Sequence, residues 1–131
     1  VIGRDVALRL AEREPKLAAG QRLLAPMLLR SAVLARLYAV VQRGELSRKD
    51  AQRRLDHLRR LRMRLLADRL LQRVAWEMAE TLAWKDTLAA EDLALTRRQA
   101  DAFVTLDARL AKTAARVVKV APIAELLGRK R

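Results

Sequence analysis

Asp107 stands at the end of one apolar run, Ala102-Phe103-Val104-Thr105-Leu106, and at the head of a helical stretch, Asp107-Ala108-Arg109-Leu110-Ala111-Lys112. A carboxylate at such a junction has two uses. It caps the helix by accepting hydrogen bonds from the first unpaired amides, or it serves as one ligand of a metal site at the end of a sheet. Asp5 follows a second short apolar run, Val1-Ile2-Gly3, while Asp86, Glu91 and Asp92 cluster around the start of the helix that precedes the Asp107 strand. In an open parallel sheet, ligands gather beyond the carboxyl ends of the strands. Carboxylates converging there from separate segments are what Mg²⁺ or Mn²⁺ needs. Two such ions activate a water and stabilise the leaving oxygen in phosphodiester cleavage, and Arg side chains around the rim would hold the phosphates. The candidate metal ligands are Asp107, Asp5, Asp86 and Asp92, and the candidate catalytic acids are Asp107, Asp5 and Glu91. Each also has a structural use. Asp107, Asp86 and Asp5 are placed to cap helices, and Glu91 and Asp92 to complement a helix dipole from its first turn.

Other chemistry is excluded by composition. The chain has no cysteine, which removes disulfides and thiolate metal sites. Its single histidine, His57, rules out multi-histidine zinc sites and any triad not built on His57 itself. Lying between Asp56 and Leu58 on an Arg-rich helix, His57 is expected to be exposed. Trp76 and Trp84 are expected in the core or at an interface. The net charge of +13 attracts nucleic acid through counterion release and long-range steering, although Arg-rich and Ala-rich codon usage would produce the same excess. The cations Arg53, Arg54, Arg59 and Arg60 stand together on one helix, where they form a solvated face, an RNA contact or a subunit contact.

The elements that must position these residues are legible from periodicity and punctuation. The 131 residues suit one domain with a real core, and 52% hydrophobic with 33% charged residues describes a globular chain. Residues 6–19 read as a helix stopped by Gly20. Leu23-Leu24-Ala25 is a brief apolar run closed by Pro26, which fits the first turn of a helix running to Gly44. That helix is apolar on most faces and is expected to be central and well buried. Ser47 and Asp50 resemble a capping box ahead of an amphipathic helix with Leu55, Leu58 and Leu61 inward. Residues 62–66, "RMRLL", suit a half-buried edge strand as well as more helix. A helix over 68–83 follows, with Leu71, Val74, Ala75, Met78 and Leu82 inward, then one over about 88–100 capped by Asp86 or Thr87. The strand at 102–106, a helix at 108–115, a strand "VVKVAP" at 117–122 and a final turn "IAELL" complete the chain. Short apolar runs alternating with helices describe a parallel sheet flanked by helices.

No apolar run approaches the roughly 20 residues that cross a bilayer, and Arg4 and Asp5 interrupt the first apolar residues as a signal peptide would not. A cytoplasmic protein with no membrane contact is the expectation.

The order of segments resembles a PIN domain of the bacterial VapC-like toxin type. "LLAPMLLRSAVLARLYAVVQRGELS" (23–47) is similar to that family's second strand, Pro-started helix and following Arg-Gly-Glu-Leu turn. "WKDTLAAEDLALTRRQADAFVTLDARLAK" (84–112) is similar to its fourth-helix segment running into a Thr-x-Asp strand end, and "VVKVAP" to its closing strand. The resemblance implies a single domain over 1–131, helix-rich α/β, a three-layer α/β/α sandwich around a short central parallel sheet. It further implies a toxin–antitoxin ribonuclease (a Mg²⁺- or Mn²⁺-dependent hydrolase acting on RNA), a partner antitoxin and a homodimer. Position by position, Asp107 matches the Thr-x-Asp carboxylate. Where the family carries its other acids this chain has Gly3, Ala32 and Ala89, with Asp5, Asp86, Glu91 and Asp92 nearby but out of register. Three readings stand: a metal-dependent ribonuclease with a relocated site, a PIN-like fold that binds RNA or protein without cutting, and a basic helical protein unrelated to the family.

Overall fold

Leu23-Leu24-Ala25-Pro26 and Met63-Arg64-Leu65-Leu66 pair in parallel as β1 (Leu23–Pro26) and β2 (Met63–Leu66), in register from Leu23 opposite Met63 to Pro26 opposite Leu66. The computed structural model describes residues 1–13 and 16–127. Beyond β1 the array continues through short extended segments. Ile2 N donates to Leu24 O at 3.2 Å, Gly3 N to Val104 O at 3.0 Å and Val104 N to Val1 O at 2.8 Å. Phe103 N in turn donates to Lys119 O, and Ala121 N to Phe103 O, both at 2.9 Å. The bridges Ile2–Val104 and Phe103–Val120 are parallel. Across the array the order is therefore β2, β1, residues 1–3, residues 103–104, residues 119–121. The outer edge of β2 has no backbone partner among the described residues.

Side chains alternate between two cores, as the period of two in extended chain requires. Ile2, Leu23, Ala25, Val104 and Ala121 enter one hydrophobic cluster with residues of α1 (Arg4–Glu12), α2 (Leu29–Gln42) and α3 (Arg48–Arg60). Val1 and Phe103 enter another, joined by the half-buried Leu24, Leu66 and Val120, with residues of α4 (Arg69–Thr81) and α5 (Leu88–Gln99). The chain is a helix-rich α/β protein. A short α6 (Ala108–Ala114) and a 3-10 turn (Ile123–Glu125) close it. No helix among the described residues is long and apolar enough to cross a membrane.

Polar groups at the helix ends explain the boundaries. Ser47 Oγ accepts from Asp50 N at 3.1 Å to start α3, and Asp68 Oδ1 accepts from Leu71 N at 2.6 Å to start α4. Gly44, at φ +75°, follows α2 and supplies the left-handed turn that glycine takes without strain. After α4 the same region is occupied by Ala83, at φ +56°.

Several boundaries differ from the sequence expectation. The first helix starts at Arg4 and ends at Glu12 rather than spanning 6–19, and positions 14 and 15 of that span lie outside the described residues. Pro26 ends β1 instead of opening α2. At a strand's last position its missing donor interrupts no ladder, and Met27 N resumes with a bond to Leu66 O at 3.0 Å. The apolar α2 is not a central helix. It buries Leu29, Val33 and Leu37, one stripe at a spacing of four, against α1 and α3. Leu34 and Tyr38 on its other side are 54% and 65% exposed. The strand at 102–106 contracts to Phe103 and Val104, and that at 117–122 to Val120, because the chain turns immediately outside those positions. Trp76 is 64% exposed and outside the core. His57 is half-buried rather than exposed, with Nδ1 2.9 Å from Ala11 O. A carbonyl only accepts, so Nδ1 carries the proton and ties α3 to the end of α1.

Candidate functional site

The hydrogen bond from Gly3 N to Val104 O places the ends of segments 1–3 and 103–104 side by side. The chain beyond one becomes the first turn of α1, carrying Asp5. The chain beyond the other becomes the Thr105–Asp107 turn leading to α6. Asp5 consequently faces that turn, and its carboxylate is fully engaged. Oδ2 accepts from Thr105 Oγ1 at 2.7 Å, Leu106 N at 2.8 Å and Asp107 N at 3.1 Å. Oδ1 accepts from Val6 N at 2.7 Å. A Cβ added at Gly3 would stand 3.0 Å from Asp5 Oδ1, so the Asp5 carboxylate fills the space next to Gly3.

Asp107 turns the other way. Its Oδ1 accepts from Arg109 N at 2.9 Å and Leu110 N at 3.1 Å, which makes it the N-cap of α6. Asp107 and Asp5 therefore meet through the Asp107 amide, and the opening junction is a capped helix tethered to the first turn of α1.

Glu91 and Asp92 come to the same end of the array from α5. Burial pushes the Asp92 carboxyl up to about 7; Arg4 opposes the rise, whereas Glu91 and Asp5 add to it by like-charge repulsion. Asp86 is elsewhere. Its Oδ1 accepts from Leu88 N at 3.0 Å at the start of α5, beside a small open cavity of about 350 Å³ shared with Trp84 and Arg109. The structure thus gathers Asp5, Glu91, Asp92 and Asp107 at one end of the array and separates Asp86 from them. Among the described residues no three acidic or histidine side chains converge as a group that could hold a metal ion. A cation at Asp5 would compete with the donors already there, three on Oδ2 and one on Oδ1. The acids present do not fit a two-ion centre.

The four cations picked out on α3 have differing surroundings. Arg53 pairs with Asp50 at 3.1 Å and Arg59 with Asp56 at 3.0 Å, each one helical turn apart. Arg54 is half-buried and Arg60 is exposed. Arg53 and Arg59 are therefore offset by acids of their own helix.

A wide groove at the other end of the array was not legible in the sequence. It measures about 1250 Å³ and lies along the starts of the extended segments, touching Val1, Leu23, Met63, Ala102 and Lys119. Its residues come from segments far apart in the chain, with no local spacing to announce them. The only hint was the excess of Arg in "RLRMR" at 60–64.

Compared with known families, with curated proteins and with solved structures, the chain matches none.

Proposed function

We propose that this chain is a PIN-like protein of the toxin–antitoxin type that binds RNA without metal-dependent cleavage. The order of extended segments, with α1, α2 and α3 packed on one face and α4 and α5 on the other, supports a three-layer reading of the fold. The motifs at 23–47 and 84–112 support the family. One observation carries the loss of cleavage: the Asp5 carboxylate is saturated by Val6, Thr105, Leu106 and Asp107. It fills the space beside Gly3, where the family's first acid would stand, and Ala32 and Ala89 replace two more. Without those carboxylates no ion is held where a water must be activated. The charge of +13 is the driving force for RNA, and the exposed Leu34–Tyr38 side of α2 is available to a second copy or an antitoxin.

The test is RNA incubated with the protein in Mn²⁺, in Mg²⁺ and in EDTA, read for both cleavage and mobility shift. The expected outcome is a shift at low salt that is indifferent to EDTA, with the RNA intact. A second reading, metal-dependent cleavage from a relocated site, is favoured by the gathering of Asp5, Glu91 and Asp92 around one raised carboxyl group. It gains the field if cleavage appears in Mn²⁺ and disappears in both EDTA and Asp107→Asn.

A further inference from the structure

We infer that a single RNA strand lies along the amino edge of the sheet, the end opposite the acids, with its phosphates on a set of cations that pair with no described acid. This deepens the RNA-binding reading above and rests on it.

β1 and β2 run parallel, as do the bridges through Ile2, Phe103, Val104 and Val120, so the starts of these segments share one edge. The 1250 Å³ groove occupies that edge. Its cations are Arg22, Arg30, Arg59, Arg62, Arg64 and Lys119, against the acids Asp101 and Glu125. Arg59 is committed to Asp56 at 3.0 Å. Arg22, Arg30, Arg62, Arg64 and Lys119 form no ion pair with any described acid. The contrast with α3 is instructive, because there Arg53 and Arg59 are answered by their own helix. Cations left unanswered around a concave surface with low-dielectric walls focus a positive potential into it. A polyanion that enters releases its counterions and neutralises them together.

The shape narrows the ligand to one strand. The half-buried Leu24 and Met63 add apolar surface to the groove beside the cations, suited to ribose and base surfaces while the phosphates meet guanidinium groups. A duplex presents its bases inward and would touch only the rim. Among the described residues no aromatic side chain lines the groove, so base preference is expected to be weak. Arg62 and Arg64 are fixed by β2 and its immediate lead-in, which sets their spacing before the strand arrives.

The experiment uses the full chain, a labelled decauridylate, and binding read by anisotropy between about 50 mM and about 200 mM salt. The groove variant is Arg62→Glu with Arg64→Glu. The control is Arg36→Glu with Arg73→Glu, the same charge change at exposed positions on α2 and α4. The expected result is at least about a tenfold loss for the groove variant, with a salt slope shallower by about 1.4, as two lost phosphate contacts on a single strand require. The control should lose much less. Should the groove variant fail to fold by circular dichroism, Arg22→Glu with Lys119→Glu tests the same edge from other segments. Equal loss in groove and control variants overturns the inference, since bulk charge would then suffice. Loss confined to Arg53→Glu with Arg54→Glu overturns it too, moving the strand to α3 while the RNA reading survives. A wild-type protein that prefers oligothymidylate to decauridylate, or binds neither, removes the RNA reading and this inference with it. A matched duplex bound as tightly as the single strand overturns the groove assignment alone.

Discussion

At the scale of single residues, the acids of this chain hold the backbone together. Asp5 joins α1 to the turn before α6 through three bonds to Thr105, Leu106 and Asp107. Hydrogen bonds to a charged acceptor contribute about 1.5–3 kcal/mol each, and they are not additive within one group. Asp5→Ala is therefore expected to lower the free energy of unfolding by about 3 kcal/mol, measured by urea denaturation, with Asp5→Asn losing less. Asp92 acts on stability in the opposite sense. Its folded-state pKa lies above the unfolded value, so the folded chain holds a proton that the unfolded chain releases between about pH 4 and about 7. Its contribution is present at low pH and is lost as pH rises through that window. Asp92→Asn should raise the melting temperature at pH 8 and change it little at pH 4.5, and thermal melts at the two values decide the matter. The sequence showed that Asp107 could cap a helix, and it does. It could not show that Asp5 would be consumed by the Asp107 turn, because that contact joins residues a hundred positions apart.

At the scale of elements, local chemistry and periodicity carried most of the information. The Ser47 cap and the helix expected at about 88–100 were legible because each depends on neighbours within a few residues, whereas 62–66 suited strand and helix alike and only pairing with β1 selects the strand. The misreadings arose where tertiary contact decides. Pro26 suits either a helix start or a strand end, and only the hydrogen bond of Met27 to Leu66 selects the second. α2 is apolar on most faces, but its burial depends on which side meets α1 and α3. Caps should behave as measured caps do: Asp68→Ala is expected to cost about 1 kcal/mol in unfolding free energy through its bond to Leu71 N. Ala83 offers a gain instead. An L-residue in the left-handed region costs about 1–2 kcal/mol, so Ala83→Gly should raise the denaturation midpoint despite the extra flexibility of glycine.

At the scale of the whole molecule, the array has two chemically different ends. Acids gather beyond the carboxyl ends of the segments, and cations most of which pair with no described acid line the amino ends. The α/β class was legible from the alternation of short apolar runs and helices. The polarity of the two ends was not, because strand order and direction must be known before either set of residues assembles. The exposed side of α2 bears on assembly. If a second copy covers Leu34 and Tyr38, Leu34→Glu with Tyr38→Glu is expected to shift sedimentation to the monomer without loss of helical signal.

The bare outer edge of β2 has one further consequence. An unpaired strand is a template for the same strand of another molecule, and Met63, Leu65 and Leu66 would make an adhesive one. Arg62 and Arg64, interleaved with those residues, act as gatekeepers that keep neighbouring molecules from adding their own strands. Replacing both by Leu should seed thioflavin-positive fibrils from a folded protein, whereas replacing both by Glu should leave it dispersed.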